Sequence, residues 1–270
     1  MSTITSNVHG VLVLGRGEIE KLLTMKEAIR AVELSFKFEA EGEAIMPPKL
    51  YLDLPHYHGD FRAMPAYVNG TAGIKWVSVY PHNPNHHLPS VMACIILSDP
   101  STGRALAFMD GTYITSMRTG AAGGVAAEYL ARKDSTVIGM IGAGTQAKTQ
   151  LMAIAEVMSK IEEVKVYDLF KEASYNYVNE MHAKLGLNLQ AVETVEAATE
   201  ADIVVTTTPS IKPIVLNKHI RPGTHINAIG ADAKGKEELE ANILLRAKVI
   251  VDDVEQASHS GEINVPISQG

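Results

Sequence analysis

The feature that most constrains the fold is VIGMIGAGTQAKTQ at residues 137–150, where an apolar run meets two glycines and then a helical pattern. The apolar run predicts a buried strand, and the glycines predict a tight turn ahead of a helix. In such units the first glycine permits the turn, and the second lets the backbone approach a pyrophosphate. The helix N-terminus then presents N–H groups and a partial positive charge to the phosphates. We therefore predict a dinucleotide phosphate site at five consecutive residues: Gly142, Ala143, Gly144, Thr145 and Gln146.

Strand-like and helical stretches alternate through the second half of the chain. Predicted strands lie near 135–141, 163–167, 188–192, 202–207, 225–229 and 247–252. Alternation at this spacing is typical of an α/β fold with a doubly wound parallel sheet of the Rossmann type.

The first half has a different character. A predicted helix near 25–41 is followed by strand-like segments such as KLYLDL, GIKWVSVY and VMACIILSD, separated by Gly, Pro, His and Asn. This pattern predicts an α+β domain over 1–117 and the Rossmann-type domain over 118–270. The join falls in the small-residue stretch 118–131, whose glycines we interpret as tight packing in preference to phosphate contact.

A second predicted strand, EVKVYD, ends in Asp168. In dinucleotide-binding sheets a carboxylate at this position accepts hydrogen bonds from the adenosine ribose hydroxyls. The next residues, Leu169 and Phe170, bring no guanidinium to a 2′-phosphate, which the carboxylate would repel. We therefore predict NAD in preference to NADP. Partial charge compensation by Lys171 would weaken this preference. The alternative to a bound dinucleotide is a similar fold without any cofactor.

Two further strand ends carry polar residues where open parallel sheets bind their ligands. In VVTTTPS, Thr206 to Thr208 reflect either strand propensity ahead of a turn or contact with nicotinamide. In HINAIGADAKGK, Asp232 is either an ordinary turn residue or a group that exchanges a proton with substrate. The predicted cofactor contacts in these two segments are Thr207, Thr208, Gly230, Ala231, Asp232 and Lys236.

Four single cations stand among apolar or small neighbours. Charges in such surroundings are seldom left unpaired. Each one alone is as readily a structural ion pair or a surface side chain, but four beside a dinucleotide site indicate an anionic substrate. Arginine is suited to two-pronged binding of a carboxylate. The four residues are Lys49, Arg62, Lys75 and Arg118.

Charge and residue counts argue against other classes of function. A formal net charge of −7 offers no basic surface for nucleic acid. The single cysteine, Cys94, has apolar neighbours, so we expect it to be buried and inert, in a reducing compartment. No run of about 18 apolar residues occurs, so we expect a cytoplasmic protein without a membrane partner.

We predict no metal site, because the histidines that crowd two loops lack helical ligand spacing and an attending carboxylate. They are His56, His58, His82, His86 and His87.

Nine segments carry a resemblance to a known family. They are MPPK, RAMPAY, GIKWVSVYPHNP, LPSVMA, SMRTGAAGGVAAEYLAR, IGAGTQA, TTTPS, HINAIGAD and VDDVEQASHSGEIN. Together they resemble the ornithine cyclodeaminase and mu-crystallin family, most closely its archaeal alanine dehydrogenase branch. The resemblance implies a homodimer, with an N-terminal substrate and dimerisation domain and an NAD(P)-binding domain. It also implies that Lys75 is the catalytic lysine and Asp232 the catalytic aspartate. Lys49, Arg62 and Arg118 match positions near the substrate carboxylate or the cofactor.

The reaction that the resemblance implies is oxidation of an amino acid at Cα, followed by addition of water to the iminium and loss of ammonia. Lys75 would polarise a substrate carbonyl or carboxylate and shuttle a proton, and Asp232 would activate the water. Ornithine-specific members carry a glutamate where this sequence has Arg62, which would repel a distal ammonium. The expected substrate is therefore a small neutral L-amino acid, L-alanine, unless Arg62 only pairs with Asp60 or another surface carboxylate.

Two other functions stay open at this point. A cyclodeaminase would return its hydride within the same turnover and convert ornithine to proline and ammonia, so that NADH would not accumulate. A binding protein of the mu-crystallin type would hold a dinucleotide and a small ligand without turnover. Family members usually continue past the segment that ends at Gly270 with elements that return to the first domain. The expected dimer and full activity depend on such elements, which help to close the dimer and the cleft.

Overall fold

The computed structural model describes residues 10–270, and the chain divides into two compact units. One unit comprises the described residues up to Thr24 together with Leu34–Thr115, and the other comprises Met25–Glu33 with Ser116–Gly270. Residues 1–9 of the predicted first domain lie outside the described residues. The boundary after residue 117, and the functions assigned to the two domains, stay predictions.

The described part of the first half forms one mixed sheet with its helices. The elements are β1 (Leu12–Leu14), α1 (Arg16–Leu22), α2 (Met25–Ala40), β2 (Ala44–Ile45), β3 (Leu50–Leu54), β4 (Gly59–Val68), β5 (Thr71–Val79), β6 (Val91–Ser98), β7 (Ala105–Asp110) and α3 (Thr112–Leu130). The spatial order is β1-β7-β6-β5-β4-β2, with β3 also paired to β4. β1 runs parallel to β7, whereas the other pairs are antiparallel. The predicted α+β character is confirmed.

The second half forms a parallel sheet surrounded by helices. Its elements are β8 (Val137–Ile141), α4 (Thr145–Val157), β9 (Glu163–Tyr167), α5 (Lys171–Leu185), β10 (Leu189–Ala191), α6 (Val195–Thr199), β11 (Ile203–Thr206), β12 (His225–Ala228), α7 (Ala241–Arg246), α8 (Val254–Ser260) and α9 (Asn264–Gln269). The spatial order is β10-β9-β8-β11-β12, and all four pairs are parallel. The first three strands in sequence therefore extend the sheet on one side of β8, and the next two extend it on the other side. The predicted doubly wound sheet is confirmed.

Both faces of this parallel sheet are covered. Ile138 and Met140 belong to one buried cluster, and Ile141 and Val204 belong to a second cluster. This explains why the central strand reads as a continuous apolar run. Gly139 interrupts that run because a Cβ there would lie 1.9 Å from the carbonyl oxygen of Ala198 in α6. The glycine allows this helix to lie directly against the sheet.

The small residues of α3 pack tightly against α4. A Cβ on Gly120 would lie 2.4 Å from the Thr149 carbonyl oxygen, and one on Gly123 would lie 1.8 Å from Gln150 Oε1. Gln150 Nε2 also donates to the Thr119 carbonyl at 2.8 Å. The interpretation of these glycines as tight packing is confirmed.

One predicted strand is wrong. Helix α7 ends at Arg246, and residues 248–253 continue without regular secondary structure or pairing to any described strand. Val249 and Ile250 are exposed. Their β-branched side chains suit a strand, but a strand also needs a neighbour with which to pair.

The expected burial of Cys94 is also wrong, because the side chain is half-buried. Cys94 lies opposite Trp76 in the β5–β6 register, and Trp76 is exposed. The five loop histidines are exposed as expected. Within residues 10–270, no helix combines the length and the apolar character needed to cross a bilayer.

Candidate active site

The glycine turn, defined as residues 142–146, connects β8 to α4. Gly142 has a φ of +98°, and a Cβ there would lie 2.8 Å from Thr207 Oγ1. Its N–H donates to the Tyr167 carbonyl at 2.9 Å. Both the left-handed backbone and the close approach of residue 207 require glycine at this position.

The N-terminus of α4 has room and donors for an anion. Gly144 precedes the helix, and no side chain from the described residues caps this end. The first N–H groups of a helix have no acceptor within it. A Cβ on Gly144 would meet no atom within 4 Å, and Thr145 is exposed. The turn therefore fits a dinucleotide phosphate, which needs donors and a backbone free of side chains.

Asp168 follows β9 and lies against the glycine turn. Its Oδ2 accepts from Ala143 N at 2.9 Å, and its Oδ1 accepts from Phe170 N at 2.9 Å. These two bonds fix the carboxylate, and each oxygen retains a second lone pair for a hydroxyl. Lys171, the residue that complicated the predicted preference for NAD, forms an ion pair with Glu193, which raises its pKa.

The threonines after β11 bond to a carboxylate that the sequence analysis missed. Glu238 is fully buried, and it accepts from Thr206 Oγ1 at 2.7 Å and from Thr208 Oγ1 at 2.7 Å. Burial raises the pKa of Glu238, although its hydrogen bonds act in the opposite direction. Thr207 Oγ1 instead donates to the Ile141 carbonyl at 3.4 Å. Nothing in the stretch KEELE distinguishes this glutamate from its neighbours, so its role carried no sequence signal.

Asp232 lies four residues beyond β12, in a loop fixed by hydrogen bonds. Its Oδ1 accepts from Lys236 Nζ at 2.6 Å, and the Asp232 side chain is 44% exposed. The buried Asn264 accepts from Gly235 N at 2.8 Å and donates to the Lys236 carbonyl at 2.8 Å. The loop thus holds the aspartate in place while solvent reaches its carboxylate. Asn264 was not anticipated from the sequence.

Arg118 lies on the part of α3 that belongs to the second unit, which also contains the glycine turn and Asp232. The residue keeps exposed surface, but its guanidinium lies among protein atoms whose desolvation lowers its pKa, an effect that Asp252 opposes. The residue remains a cation near neutral pH, because arginine titrates far above that range.

The cation cluster, defined as Lys49, Arg62 and Lys75, belongs to the first unit. Arg62 lies opposite Val77, and Lys75 lies opposite Met64, so the alternation of strands places both cations on one face as diagonal neighbours. Lys75 is half-buried and Arg62 is buried. The β4–β5 pairing therefore brings together two of the residues predicted to bind or activate substrate.

Arg62 forms an ion pair with Asp60. Its Nε donates to Oδ1 at 2.7 Å and one Nη donates to Oδ2 at 3.2 Å. The Asp60 pairing that the sequence analysis left as an alternative is present, but it is largely buried, with the two side chains 9% and 19% exposed. A direct role of Arg62 toward substrate stays a prediction.

The ring of Tyr51 lies near two members of the cation cluster, and sequence reasoning missed it. The Arg62 Cζ atom is 5.2 Å from its ring centroid, and the Lys49 Nζ atom is 5.9 Å away. The hydroxyl is buried without a hydrogen-bond partner among the described residues. Tyr51 lies opposite Arg62 in the β3–β4 register, which the segment KLYLDL alone does not reveal.

The carboxyl ends of β8, β9, β11 and β12 thus bring the glycine turn, Asp168, the threonines and Asp232 to one edge of a parallel sheet. These features define a Rossmann-type fold with a site for a dinucleotide at its switch point. The chain belongs to the ornithine cyclodeaminase/mu-crystallin family, whose sequence profile matches residues 11–269.

The relatives include dehydrogenases and reductases of amino and imino acids. The chain is 52% identical to the alanine dehydrogenase of Archaeoglobus fulgidus over 96% of this chain and 79% of that protein. A solved archaeal alanine dehydrogenase dimer with bound NAD matches with a TM-score of 0.92, at 52% identity, over 96% of this chain and 80% of that one. The Delta(1)-pyrroline-2-carboxylate reductase of Thermococcus litoralis, solved with NADH and L-proline, matches with a TM-score of 0.93, at 42% identity, over 96% and 81%.

Proposed function

We propose that this protein is an NAD-dependent dehydrogenase that converts a small L-amino acid, L-alanine, to pyruvate and ammonia in a reversible reaction. The observation that carries the cofactor assignment is the glycine turn held by Asp168. The 52% identity to alanine dehydrogenase supports the choice of substrate.

NAD would be held by backbone groups on one side and by strand-end residues on the other. The N–H groups of residues 144–146 would receive the pyrophosphate, and Asp168 would accept from the adenosine ribose. Thr207, Thr208 and the segment 230–232, with Lys236, would lie toward the nicotinamide. When bound, the nicotinamide accepts the hydride from the substrate Cα.

The remaining chemistry would fall to side chains of this chain. Lys49, Arg62 and Arg118 would bind the substrate carboxylate, since cations form strong charge-assisted hydrogen bonds with it. Lys75 would polarise the substrate and move a proton at its Nζ atom. The exposed carboxylate of Asp232 would take a proton from the water that adds to the iminium carbon.

A second candidate is reduction of a cyclic imino acid. The structural match to the pyrroline-carboxylate reductase supports it. The two candidates share one chemical step, the interconversion of an amine and an imine at Cα, and differ in the shape of the substrate.

We further propose a cytoplasmic homodimer. The structural relative with bound NAD is described as a dimer. In the first unit, Val13, Phe108 and Ile96 form a row across β1, β7 and β6, and all three are exposed. An apolar row of this kind suits contact with a second copy. The single cysteine supports a reducing compartment.

Absorbance of NADH separates these activities. L-alanine with NAD should produce NADH and pyruvate if the main proposal holds. Consumption of NADH with pyrroline-2-carboxylate, at higher efficiency than alanine oxidation, would favour the imino-acid reductase. Proline formed from ornithine without net NADH would indicate a cyclodeaminase, and tight NADH binding without any turnover would indicate a binding protein.

A further inference from the structure

Glu238 is a buried carboxylate that connects two strand ends. It has no exposed surface, and its two oxygens accept four hydrogen bonds. Oε1 accepts from Thr208 N at 2.6 Å and from Thr208 Oγ1 at 2.7 Å. Oε2 accepts from Thr206 Oγ1 at 2.7 Å and from Gly230 N at 2.8 Å. One side chain thus ties the end of β11 to the residues that follow β12.

The backbone of Glu238 is also fixed. Its N–H donates to Glu262 Oε1 at 2.8 Å, and its carbonyl accepts from Ile214 N at 2.8 Å and from Val215 N at 3.0 Å. Every polar atom of the residue is therefore hydrogen-bonded. A carboxylate held from both ends cannot follow a displaced strand without breaking several bonds.

Gly230 shows how closely the two strand ends approach. A Cβ at this position would lie 2.2 Å from the Thr208 carbonyl oxygen and 2.6 Å from Glu238 Oε1. The contact leaves no room for any side chain at residue 230. The spacing between the two loops is therefore set by backbone contact and by the Glu238 carboxylate together.

We infer that Glu238 is a positioning residue for the nicotinamide half of the cofactor site, which it shapes by holding Thr208 and Gly230 in register. The inference rests on the proposed function, because residues 207–208 and 230–232 are the proposed contacts toward the nicotinamide. The adenosine half depends on Gly142, Gly144 and Asp168, none of which contacts this carboxylate in the described hydrogen-bond network. Glu238 should therefore matter for one half of the cofactor and not for the other.

The variant Glu238→Gln tests this asymmetry because an amide cannot replace the carboxylate. A glutamine oxygen can serve either the Thr208 pair or the Thr206 and Gly230 pair, and its NH2 group then faces the other pair. A threonine hydroxyl can rotate to accept from that NH2 group, but a backbone N–H cannot. Either orientation leaves the N–H of Thr208 or Gly230 without an acceptor.

Asp202 offers a matched control at the opposite edge of the same sheet. Its Oδ2 accepts from Thr136 N at 2.9 Å and from Val137 N at 3.2 Å, next to the amino end of β8. Asp202→Asn likewise changes a carboxylate of this sheet to an amide and removes the charge that pairs with Arg132, far from the carboxyl edge. It controls for a general loss of stability in the unit.

The experiment measures binding of ADP-ribose and of NADH by calorimetry, because ADP-ribose retains the rest of the cofactor but lacks the nicotinamide ring. For Glu238→Gln we expect the Kd of ADP-ribose to stay within about threefold of wild type and the Kd of NADH to rise about tenfold. Asp202→Asn should leave the ratio of the two constants unchanged. An unchanged ratio in Glu238→Gln, or an equal loss of both ligands, would overturn the inference.

A milder variant covers failure of Glu238→Gln to fold. Thr206→Val is a nearly isosteric change at a fully buried position, and it removes one donor from the Glu238 carboxylate. The ratio of the NADH and ADP-ribose Kd values should move in the same direction by about threefold. If this ratio stays at the wild-type value, the inference fails. A shifted ratio in an enzyme that does not oxidise alanine would overturn the substrate assignment alone, whereas a wild type that binds neither ligand would overturn both proposals.

Discussion

The glycine turn of the second unit and the cation cluster of the first unit are predicted binding surfaces of opposite kinds. The glycine turn offers backbone N–H groups, and its conformation depends on a φ of +98° at Gly142. In the cation cluster, Arg62 and Lys75 stand on a regular antiparallel strand pair, where the backbone would be the same for many sequences. A substitution at Gly142 therefore alters the backbone itself, whereas a substitution at Arg62 or Lys75 alters chemistry on an unchanged scaffold.

Lys75→Met should produce the largest separation between the two regions. Loss of a positioned proton-transfer group should lower kcat/KM for L-alanine about a thousandfold. The Kd for NADH should stay within about twofold of wild type, because β5 and its register remain intact. Steady-state kinetics and NADH binding measure the two effects. Lys37→Met, on the exposed side of α2, serves as the control, and residual activity near wild type in Lys75→Met would refute the assigned role.

Two alanine variants in the glycine turn should differ from each other. Gly144→Ala places a methyl group in open space, so the free energy of unfolding should hardly change, while NAD affinity falls about a hundredfold through loss of room for the phosphate. Gly142→Ala should in addition lower the free energy of unfolding by about 1–2 kcal/mol, because alanine is strained at positive φ. Denaturant unfolding and NAD titration distinguish the two. Normal NAD binding by Gly144→Ala would place the pyrophosphate elsewhere.

Asp168→Ser should narrow the preference for NAD over NADP by about tenfold, since the carboxylate repels a 2′-phosphate. Lys171 is engaged by Glu193, so Glu193→Gln in the Asp168→Ser background should release charge toward the phosphate and increase NADP use further. The ratio of kcat/KM for the two cofactors reports both changes. A wild type that uses NADP as well as NAD would show that another residue sets this selectivity.

Discrimination between alanine and ornithine should change by a smaller factor. Asp60 offsets part of the Arg62 charge, so repulsion of a distal ammonium is weaker than an unpaired guanidinium would give. Asp60→Asn should therefore increase the preference for alanine by about threefold to tenfold. Arg62→Glu should shift it toward ornithine, and combining it with Asp60→Asn avoids a buried carboxylate pair. Equal ratios in all three variants would remove Arg62 from the substrate site.

The features that could be predicted from the sequence are those that depend on neighbours along the chain. The turn at Gly142 and the acid at Asp168 belong to a strand, turn and helix of fixed spacing, so both could be predicted. The Asp60–Arg62 pair could be offered as an alternative because its members are two residues apart. For these features, local spacing determines which atoms meet.

The missed features depend on partners that the spacing does not reveal. Glu238 bonds to Thr206, 32 residues away in sequence, and it stands in an acidic stretch that reads as a solvated surface. Tyr51 meets Arg62 only through the register of β3 with β4. The wrong strand at 247–252 has the same cause, because β propensity describes a side chain and not the presence of a pairing partner.

The predicted effect with the smallest consequence for binding concerns Glu262, which supports the backbone of Glu238. Burial raises the pKa of Glu262 to about 7, and the nearby charges of Glu238 and Glu237 add to the shift. Its Oε2 is buried without a hydrogen-bond partner among the described residues, which disfavours the charged form.

The sign of the resulting pH dependence follows from linkage. Between the ordinary value of 4.5 and about 7, the folded state retains a proton on Glu262 that the unfolded state has released. This contribution to the free energy of unfolding is therefore fully present below pH 4.5, falls as the pH rises toward 7, and is level above that.

Glu262→Gln should remove this slope while keeping the side-chain oxygen that accepts from Glu238 N and Leu239 N. Relative to wild type, the variant should gain roughly 3 kcal/mol of stability at about pH 8 and nothing at about pH 4. Urea unfolding at several pH values measures the difference, with Glu255→Gln as a control at an exposed position of α8. Parallel stability curves for wild type and Glu262→Gln would mean that Glu262 is already charged in the folded protein, and that the support of Glu238 comes from a carboxylate rather than from a neutral acid.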